Sequence, residues 1–260
     1  AVTVLARRTL LGRDDPDVGV TMQEALESEG VCVLTHTSPQ EVSHDADTFR
    51  ITLDDETLTA EKLLVATGRQ ANTAGLNLDA AGIETADGSA IAVDDHLRTS
   101  AAHVFAVGDC TTLPQLVYVA AAAGTRAAAN MTGDDAVLDM SVVPAVVFTD
   151  PQVATVGMTE SEAVQRGITP DARRIDLKHV PRALANFDTR GFVKLVADAE
   201  TKQLIGAQIV AHNAGEVIQT ASLAIRHGMT VTDLANELFP YLTLSEGIKL
   251  CAQTFSKDVE

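Results

Sequence analysis

The segment FPYLTLSEGIK, from Phe239 to Lys249, contains two side chains whose types and spacing could do chemistry. Tyr241 stands five residues before Glu246, which is the only carboxylate of the segment. A phenol and a carboxylate can both take part in proton transfer and hydrogen bonding, so the two could work together in one site. The alternative is a plain loop that passes into the helix-like run GIKLCAQTF.

A second candidate site follows the apolar run HVFAVGD, which we predict to be a buried strand ending in Gly108 and Asp109. An Ala-rich helix is predicted from Val117 to Met131. An aspartate at a strand end can accept hydrogen bonds from a sugar hydroxyl, and a helix start offers free N–H groups to an electron-rich ligand atom. An ordinary strand–loop–helix with Asp109 as a cap explains the pattern equally well.

Two further motifs are weaker. KLLVATGR is predicted to be a buried strand, and Gly68 after it would let the backbone approach a ligand closely, although a plain turn fits too. Arg7 and Arg8 follow the apolar run VTVLA, where a dinucleotide-binding unit meets the adenosine ribose. Arginine at this position favours the 2′-phosphate of NADP, and the alternative is a solvated basic edge.

Composition limits the classes of function. The chain has 260 residues, 46% of them hydrophobic and only 3% aromatic, which is enough for two compact units with aliphatic cores. A net charge of −17 argues against nucleic acid as a partner and indicates either a highly solvated surface or adaptation to high salt. No apolar run is long enough to span a membrane and the first residues are no signal peptide, so we expect a cytoplasmic protein without membrane contact.

The three cysteines are far apart and form neither a zinc signature nor a disulphide framework. We predict that Cys32, Cys110 and Cys251 are each small buried apolar residues. The prediction is clearest for Cys251, which lies between Leu250 and Ala252 in a helical run.

The elements that would position these residues begin with a strand, a helix and a second strand. Asp14 or Asp15 can cap the helix, Pro16 suits its first turn, apolar residues recur every four positions from Val18 to Leu26, and Gly30 ends it. The run VCVLTH then resumes as a strand. This order predicts a parallel pair joined by a crossover helix.

Later segments predict further elements. FRITL and LTAEK flank the turn DDET as a hairpin, and AIAV reads as a short strand. From about Ser141 the runs VPAVVF, RRIDL, FVKLVAD and LIGAQIV are predicted strands, with helices at GEVIQTASLAIRHG and TVTDLANEL. Strands followed by helices indicate an α+β module.

Five segments together are more specific than any single motif: ATGRQANT, FAVGDCTTLPQLVYVAAAAGTRAAANMTG, PAVVFTDPQVATVGMTESEA, VPRALANFDTRGFVKLV and FPYLTLSEGIKLCAQTF. In this order they resemble the C-terminal half of flavoprotein pyridine nucleotide-disulphide oxidoreductases, and mercuric reductases in particular, over essentially the whole chain. The resemblance implies an α/β plus α+β fold. Residues 1–70 would be the later part of the Rossmann-like NAD(P)H-binding domain, 71–140 the returning part of the FAD-binding domain, and 141–260 the dimerisation domain of a homodimer.

The resemblance also implies roles by position. Asp109 is similar to the acid that binds the ribityl chain of FAD, and the backbone at Val117 and Tyr118 matches the helix start that faces the flavin pyrimidine ring. The implied cofactor-binding residues are Gly108, Asp109 and Val117 for FAD, Arg7 and Arg8 for NADPH, and Gly68 where the domain approaches the cofactors.

Tyr241 occupies the position at which disulphide-reducing members carry a catalytic histidine, five residues before the retained Glu246. Mercuric reductases resemble this chain in having tyrosine there and a second tyrosine at the position of Tyr118. A soft metal ion held by thiolates needs no proton shuttle to a leaving thiol, so the loss of the imidazole is chemically sensible. The resemblance therefore implies Tyr241, Glu246 and Tyr118 as catalytic residues, with both phenols contacting Hg(II). The alternative is that either tyrosine is a buried ring with a satisfied hydroxyl.

The sequence also departs from the family pattern. It contains no CxxxxC pair, no GxGxxG loop and no vicinal cysteine pair near its end. We therefore expect a C-terminal portion of an NADPH-dependent, FAD-containing enzyme that reduces Hg(II) to Hg(0), inactive by itself. The alternatives are a disulphide oxidoreductase similar to dihydrolipoamide dehydrogenase, disfavoured by the missing histidine, and a non-catalytic dimerisation fragment.

Overall fold

A computed structural model describes residues 1–86 and 89–256 of the chain. The chain divides into two compact units, one formed by residues 1–62 together with 141–260 and the other by residues 63–140. The domain boundaries predicted at residues 70 and 140 refer to the family's functional domains and stay predictions.

The first 62 residues begin with the predicted strand, helix and strand. Strands β1 (Thr3–Ala6) and β2 (Cys32–Thr35) pair in parallel, and helix α1 (Pro16–Ser28) connects them. The side chain of Asp15 caps α1 by accepting a hydrogen bond from the backbone N–H of Asp17 at 3.0 Å. The prediction of a parallel pair with a crossover helix is confirmed.

A three-stranded antiparallel sheet follows, made of β3 (Glu41–Asp45), β4 (Thr48–Thr52) and β5 (Thr57–Ala60). The β4–β5 hairpin confirms the sequence prediction. β3 was not predicted, because all five of its residues are exposed and its sequence EVSHD has no apolar face to signal a strand.

Residues 63–140 contain a short antiparallel pair and one long helix in the part that the structure describes. The pair is β6 (Thr85–Ala86) with β7 (Ala90–Ile91), and the helix α2 (Val117–Met131) has the bounds predicted from its sequence. Small side chains on α2, including Ala123 and Ala127, pack against Leu97 and Leu138.

Two strand predictions in this unit are wrong. The segment KLLVATGR forms no strand, and Leu64 in it is 89% exposed. The segment HVFAVGD forms only an isolated bridge between Phe105 and Arg98. Both sequences are apolar enough for buried strands, but a strand also needs a neighbour to pair its N–H and C=O groups. Among the described residues, no strand lies beside KLLVATGR, and HVFAVGD pairs only with the short segment 97–99, which is itself no strand.

Residues 141–256 build a five-stranded antiparallel sheet in the order β10–β11–β12–β9–β8. The α+β prediction is confirmed, while β9 and two short helices were not predicted. The strands are β8 (Ala145–Val147), β9 (Gln152–Gly157), β10 (Pro170–Asp176), β11 (Phe192–Asp198) and β12 (Leu204–Ala211). The helices are α3 (Glu160–Gln165), α4 (Pro181–Ala185), α5 (Ala214–Arg226), α6 (Val231–Asn236) and α7 (Glu246–Gln253).

The two faces of this sheet bury different partners, because side chains alternate along each strand. One face packs against α5, α6 and α7 through residues such as Leu195 and Ile248. On the other face Phe192 packs against Val18 and Met22 of α1. The first segment of the chain thus supplies a helix to the sheet built by the last segment.

Candidate active site

The unit of residues 63–140 brings two predicted motifs together through Arg69. Its Nη1 lies 3.7 Å from Oδ2 of Asp109, and its Nη2 donates a hydrogen bond to the carbonyl oxygen of Gln115 at 3.2 Å. Nε2 of Gln115 donates in turn to the carbonyl oxygen of Asp109 at 3.3 Å. These three residues connect the segment after Gly68, the Gly108–Asp109 turn and the start of α2.

Asp109 lies in a single 3₁₀ turn, Gly108–Cys110, and does not cap α2, whose N-cap residue is Leu116. The alternative role of Asp109 as a helix cap is therefore wrong. Its side chain is 61% exposed, so the carboxylate is accessible to a ligand hydroxyl. Gly108 has φ +78°, a conformation that favours glycine, and this turn sets the direction of the Asp109 side chain.

The start of α2 is open. Leu116 makes no side-chain capping hydrogen bond, and Val117 is 86% exposed. The dipole at this helix start favours an electron-rich atom. Tyr118 is about half exposed, and burial raises the pKa of its phenol above the ordinary value.

Gly68 has φ +130°, which explains why glycine is needed there. A Cβ atom at this position would meet open space, so the backbone is accessible to a ligand from that side. In the other unit, Arg7 and Arg8 follow β1 and are both exposed. The carbonyl oxygen of Arg8 accepts a hydrogen bond from the N–H of His36 at 3.1 Å, which ties this backbone to the residue after β2.

Tyr241 lies on the turn between α6 and α7 and is 75% exposed. Glu246 is the first residue of α7, and its Oε2 accepts a hydrogen bond from the backbone N–H of Leu242 at 3.2 Å. Thr243 closes the same turn, since its hydroxyl donates to the carbonyl oxygen of Pro240 and accepts from the N–H of Glu246. The predicted pair is thus close in space, and the carboxylate fixes the turn that presents the phenol.

The three cysteines lie in different environments. Cys251 is fully buried, its Sγ donates to the carbonyl oxygen of Arg173, and burial raises the pKa of the thiol to about 12. Cys110 is half-buried and donates to the carbonyl oxygen of Val107. Cys32 is exposed, so its predicted burial is wrong. It alternates with the buried Val33 on β2 and points away from the covered face.

Sequence reasoning missed two charged residues with long-range roles. Arg69 is separated by 46 residues from its partner Gln115, and no local sequence pattern predicts this contact. Lys194 is buried within β11 and contacts carboxylates that are distant in the sequence. The sequence does contain a signal for the buried pairing of Lys194, because a lysine inside the apolar run FVKLVAD requires a partner.

Two family models match the chain. Residues 1–124 match the model described as pyridine nucleotide-disulphide oxidoreductase, and residues 143–252 match the dimerisation domain of the same family. The chain belongs to the pyridine nucleotide-disulphide oxidoreductase family. Membership implies a flavin and a pyridine nucleotide as cofactors, and the exposed Asp109 carboxylate and open start of α2 fit a flavin.

Curated relatives in this family are mercuric reductases. The chain is 54% identical to the enzyme of Shewanella putrefaciens over 259 residues and 56% identical to that of Shigella flexneri over 264 residues. Each alignment covers 100% of this chain but only 46% and 47% of the relative. The chain thus spans about half the length of the curated relatives it matches.

Solved structures of the family confirm the fold. The HOCl-induced flavoprotein disulphide reductase RclA of Escherichia coli, as the Cu(II) complex of a C43S mutant, has a TM-score of 0.89 at 28% identity and covers 97% of this chain. LpdA of Mycobacterium tuberculosis has a TM-score of 0.85 at 30% identity and covers 98%. This chain covers 58% and 56% of those two chains. No helix in residues 1–86 or 89–256 is long and apolar enough to cross a membrane.

Proposed function

We propose that this chain is the C-terminal part of an NADPH-dependent, FAD-containing mercuric reductase that converts Hg(II) to Hg(0). The observation that carries the proposal is the exposed phenol of Tyr241, on a turn fixed by Glu246, at the position where disulphide-reducing relatives carry an imidazole. The identity of 54–56% to mercuric reductases over the whole chain supports it.

The phenol suits a metal substrate better than a disulphide. Reduction of a disulphide releases a thiol that must be protonated, which is the work of an imidazole. In reduction of a soft metal ion the two electrons go to the ion, its thiolate ligands leave as anions, and no S–S bond is cleaved. An oxygen that contacts and guides the ion is then sufficient. Tyr241 would contact Hg(II), and Glu246 would act by holding the Tyr241 turn. As a separate proposal, Tyr118 would supply a second phenol that contacts Hg(II).

Exposure and conformation support the proposed cofactor roles. Asp109 would bind the ribityl hydroxyls of FAD, Gly108 would set the direction of that carboxylate, and the N–H groups at Val117 would face the flavin ring. Gly68 would allow close backbone approach. The flavin would supply the two-electron chemistry.

The pyridine nucleotide would be bound by the arginine pair after β1. Arg7 and Arg8 are exposed, and a guanidinium binds a phosphate group in a planar, bidentate manner. They would therefore select NADPH over NADH through its 2′-phosphate.

The remaining assignments complete the proposal. Residues 141–260 would form a homodimer, in keeping with the dimerisation-domain match over residues 143–252. The three-part division at residues 70 and 140 would correspond to the NAD(P)H, FAD and dimerisation domains. The assembled enzyme would act in the cytoplasm, and its large net negative charge would keep it soluble, including at high salt.

The test uses the full-length flavin-loaded protein and its Tyr241→Phe and Tyr241→His variants. We expect Hg(II)-dependent NADPH oxidation to fall by roughly tenfold or more in both, which corresponds to about 1.4 kcal/mol of transition-state stabilisation. Flavin absorbance and thermal stability should stay unchanged. Phe187→Leu, which alters another exposed ring, is the control. An unchanged Hg(II) rate in both Tyr241 variants would contradict the role of the phenol.

A disulphide reductase is the second candidate, favoured by the fold likeness to RclA and LpdA. It predicts NADPH oxidation with oxidised glutathione or oxidised lipoamide, without a response to Hg(II). Flavin-free protein that only dimerises would indicate a non-catalytic dimerisation module instead.

A further inference from the structure

Lys194 is a buried cation at the centre of the interface between the first and last segments of the chain. It lies in the middle of β11, and only 10% of its side chain is exposed. Its Nζ lies 2.9 Å from Oδ2 of Asp15, 3.1 Å from Oδ2 of Asp17 and 2.6 Å from Oε1 of Glu160. One ammonium group thus joins carboxylates from α1 and α3 to the sheet.

A buried ammonium group is costly unless it is paired and hydrogen-bonded. Burial alone would lower the pKa of Lys194, but the hydrogen bonds to Glu160, Asp15 and Asp17 outweigh it and raise the pKa above its ordinary value. Lys194 is therefore charged throughout the physiological pH range. Removal of this charge would leave the buried Asp15 carboxylate without its cation.

The network fixes the start of α1 in particular. Asp15 is the N-cap of α1, and its carboxylate serves both the capping hydrogen bond and Lys194. Beyond this end, Val18 and Met22 pack on Phe192 of the sheet. At the other end, Nη1 of Arg190 pairs with Glu29 at 2.8 Å. Helix α1 is thereby attached to the sheet at its start and along its middle, and to the loop before β11 at its end.

The backbone of residues 7–14, which we call the arginine loop, rests on α1. A Cβ atom on Gly19 would lie 2.6 Å from the carbonyl oxygen of Leu10, so only glycine permits this close approach. Leu11 packs against the same apolar cluster as Val18, and the N–H of Asp14 donates to the carbonyl oxygen of Leu11 at 2.8 Å. Helix α1 therefore contacts the later part of the arginine loop at Leu10 and Leu11, while Arg8 at its other end is bonded to His36.

We propose that Lys194 is a positioning residue that places Arg7 and Arg8 for the 2′-phosphate of NADPH, acting from the dimerisation sheet through Asp15 and α1. This inference rests on the proposed binding of NADPH by the arginine pair. It assigns a part in nucleotide selectivity to a residue that does not touch the nucleotide.

The experiment measures binding of NADP⁺ and NAD⁺ by calorimetry to the full-length flavin-loaded protein and to its Lys194→Met variant. We expect NADP⁺ affinity to fall roughly tenfold, while NAD⁺ affinity changes by less than about threefold. In turnover, KM for NADPH should rise with kcat unchanged. Lys194→Arg, which keeps the cation, should recover most of the NADP⁺ affinity. The control is Lys178→Met, which removes an exposed lysine paired with Asp176 at 3.2 Å.

Equal losses of NADP⁺ and NAD⁺ affinity, or a lower Tm with both affinities unchanged, would overturn the inference, because either result would make Lys194 a stability element only. If Lys194→Met fails to fold, Asp17→Asn removes a single partner of the cation and should still weaken NADP⁺ selectively, by about threefold.

The outcome is separable from the proposed mercury chemistry. Nucleotide binding is measured without Hg(II), so a protein that fails to reduce mercury can still confirm the role of Lys194. Unchanged NADP⁺ affinity in an Arg7→Ala, Arg8→Ala double variant would remove the binding role on which the inference rests and would overturn it.

Discussion

Oε2 of Glu246 accepts a hydrogen bond from the backbone N–H of Leu242 at 3.2 Å and so fixes the turn that carries Tyr241. Leu242 has φ +64°, a conformation that non-glycine residues rarely adopt without support. The carboxylate supplies that support from the first position of α7, where its charge also suits the helix dipole. Glu246 therefore has a structural role that does not depend on whether a histidine or a tyrosine stands five residues before it.

Replacement of this carboxylate should loosen the turn. Glu246→Ala removes the acceptor and is expected to lower the free energy of unfolding by about 1 kcal/mol. It should also reduce the Hg(II)-dependent rate of the full-length protein. Glu246→Gln keeps an acceptor oxygen and should retain most of the stability. Urea unfolding of both variants checks this, and equal damage from Gln and Ala would argue against a hydrogen-bonding role.

The thiols should differ sharply in reactivity. Cys251 is buried and its thiol pKa is raised to about 12, so it should resist alkylation in the folded protein and react only after unfolding. Cys32 is exposed and should react first. Mass spectrometry after iodoacetamide treatment, with and without urea, distinguishes the two sites. Rapid labelling of Cys251 in the folded protein would show that its surroundings are open.

Asp14 should destabilise the fold near neutral pH. Burial, Glu162 and Asp15 together raise its pKa above the ordinary value of 3.8, so the folded state binds the Asp14 proton more tightly than the unfolded state does. The ionised carboxylate therefore opposes folding fully above the folded-state pKa, and this cost declines as the pH falls from that pKa to below the ordinary value of 3.8.

Asp14→Asn is accordingly expected to raise Tm at about pH 7, with a smaller gain at about pH 4. Asp55→Asn is the control, since it makes the same change of net charge at an exposed turn between β4 and β5. A lower Tm for Asp14→Asn at neutral pH, or an equal gain from Asp55→Asn, would contradict this account.

Local signals were enough to predict the elements whose ends and faces are marked in the sequence. Asp15 and Pro16 predicted the start of α1, and the apolar spacing of Val18 and Met22 predicted its buried face. The Ala-rich run predicted both ends of α2 correctly. Strands β8, β10, β11 and β12 were predictable because their apolar runs are bounded by turns, whereas β9 was not predicted.

The two wrong strand predictions share a physical cause, which is that pairing is not a local property, whereas β3 pairs with the next strand and was missed because it lacks an apolar pattern. The runs around Leu64 and Phe105 are as apolar as buried strands but lack neighbouring strands among the described residues. β3 is paired but carries no apolar face. Pairing energy depends on residues far away in the sequence, and no window of a few residues contains that information.

The candidate site was predictable to the same extent. The helix-like run GIKLCAQTF correctly indicated α7, but the hydrogen bond from Leu242 to Glu246 depends on a backbone conformation that the spacing of Tyr241 and Glu246 does not specify. The contact of Arg69 with the Asp109 turn and the network of Lys194 join segments far apart in the chain. Neither the contact of Arg69 nor the network of Lys194 could be predicted without the fold.

The most direct test of the central claim compares electron acceptors for the full-length flavin-loaded protein with NADPH as donor. Hg(II), held as a thiolate complex, is offered beside oxidised lipoamide and oxidised glutathione, and release of mercury vapour is measured with NADPH oxidation. The account predicts rapid Hg(II)-dependent oxidation matched by released Hg(0), with little turnover of either disulphide. Turnover of a disulphide without any response to Hg(II) would contradict it.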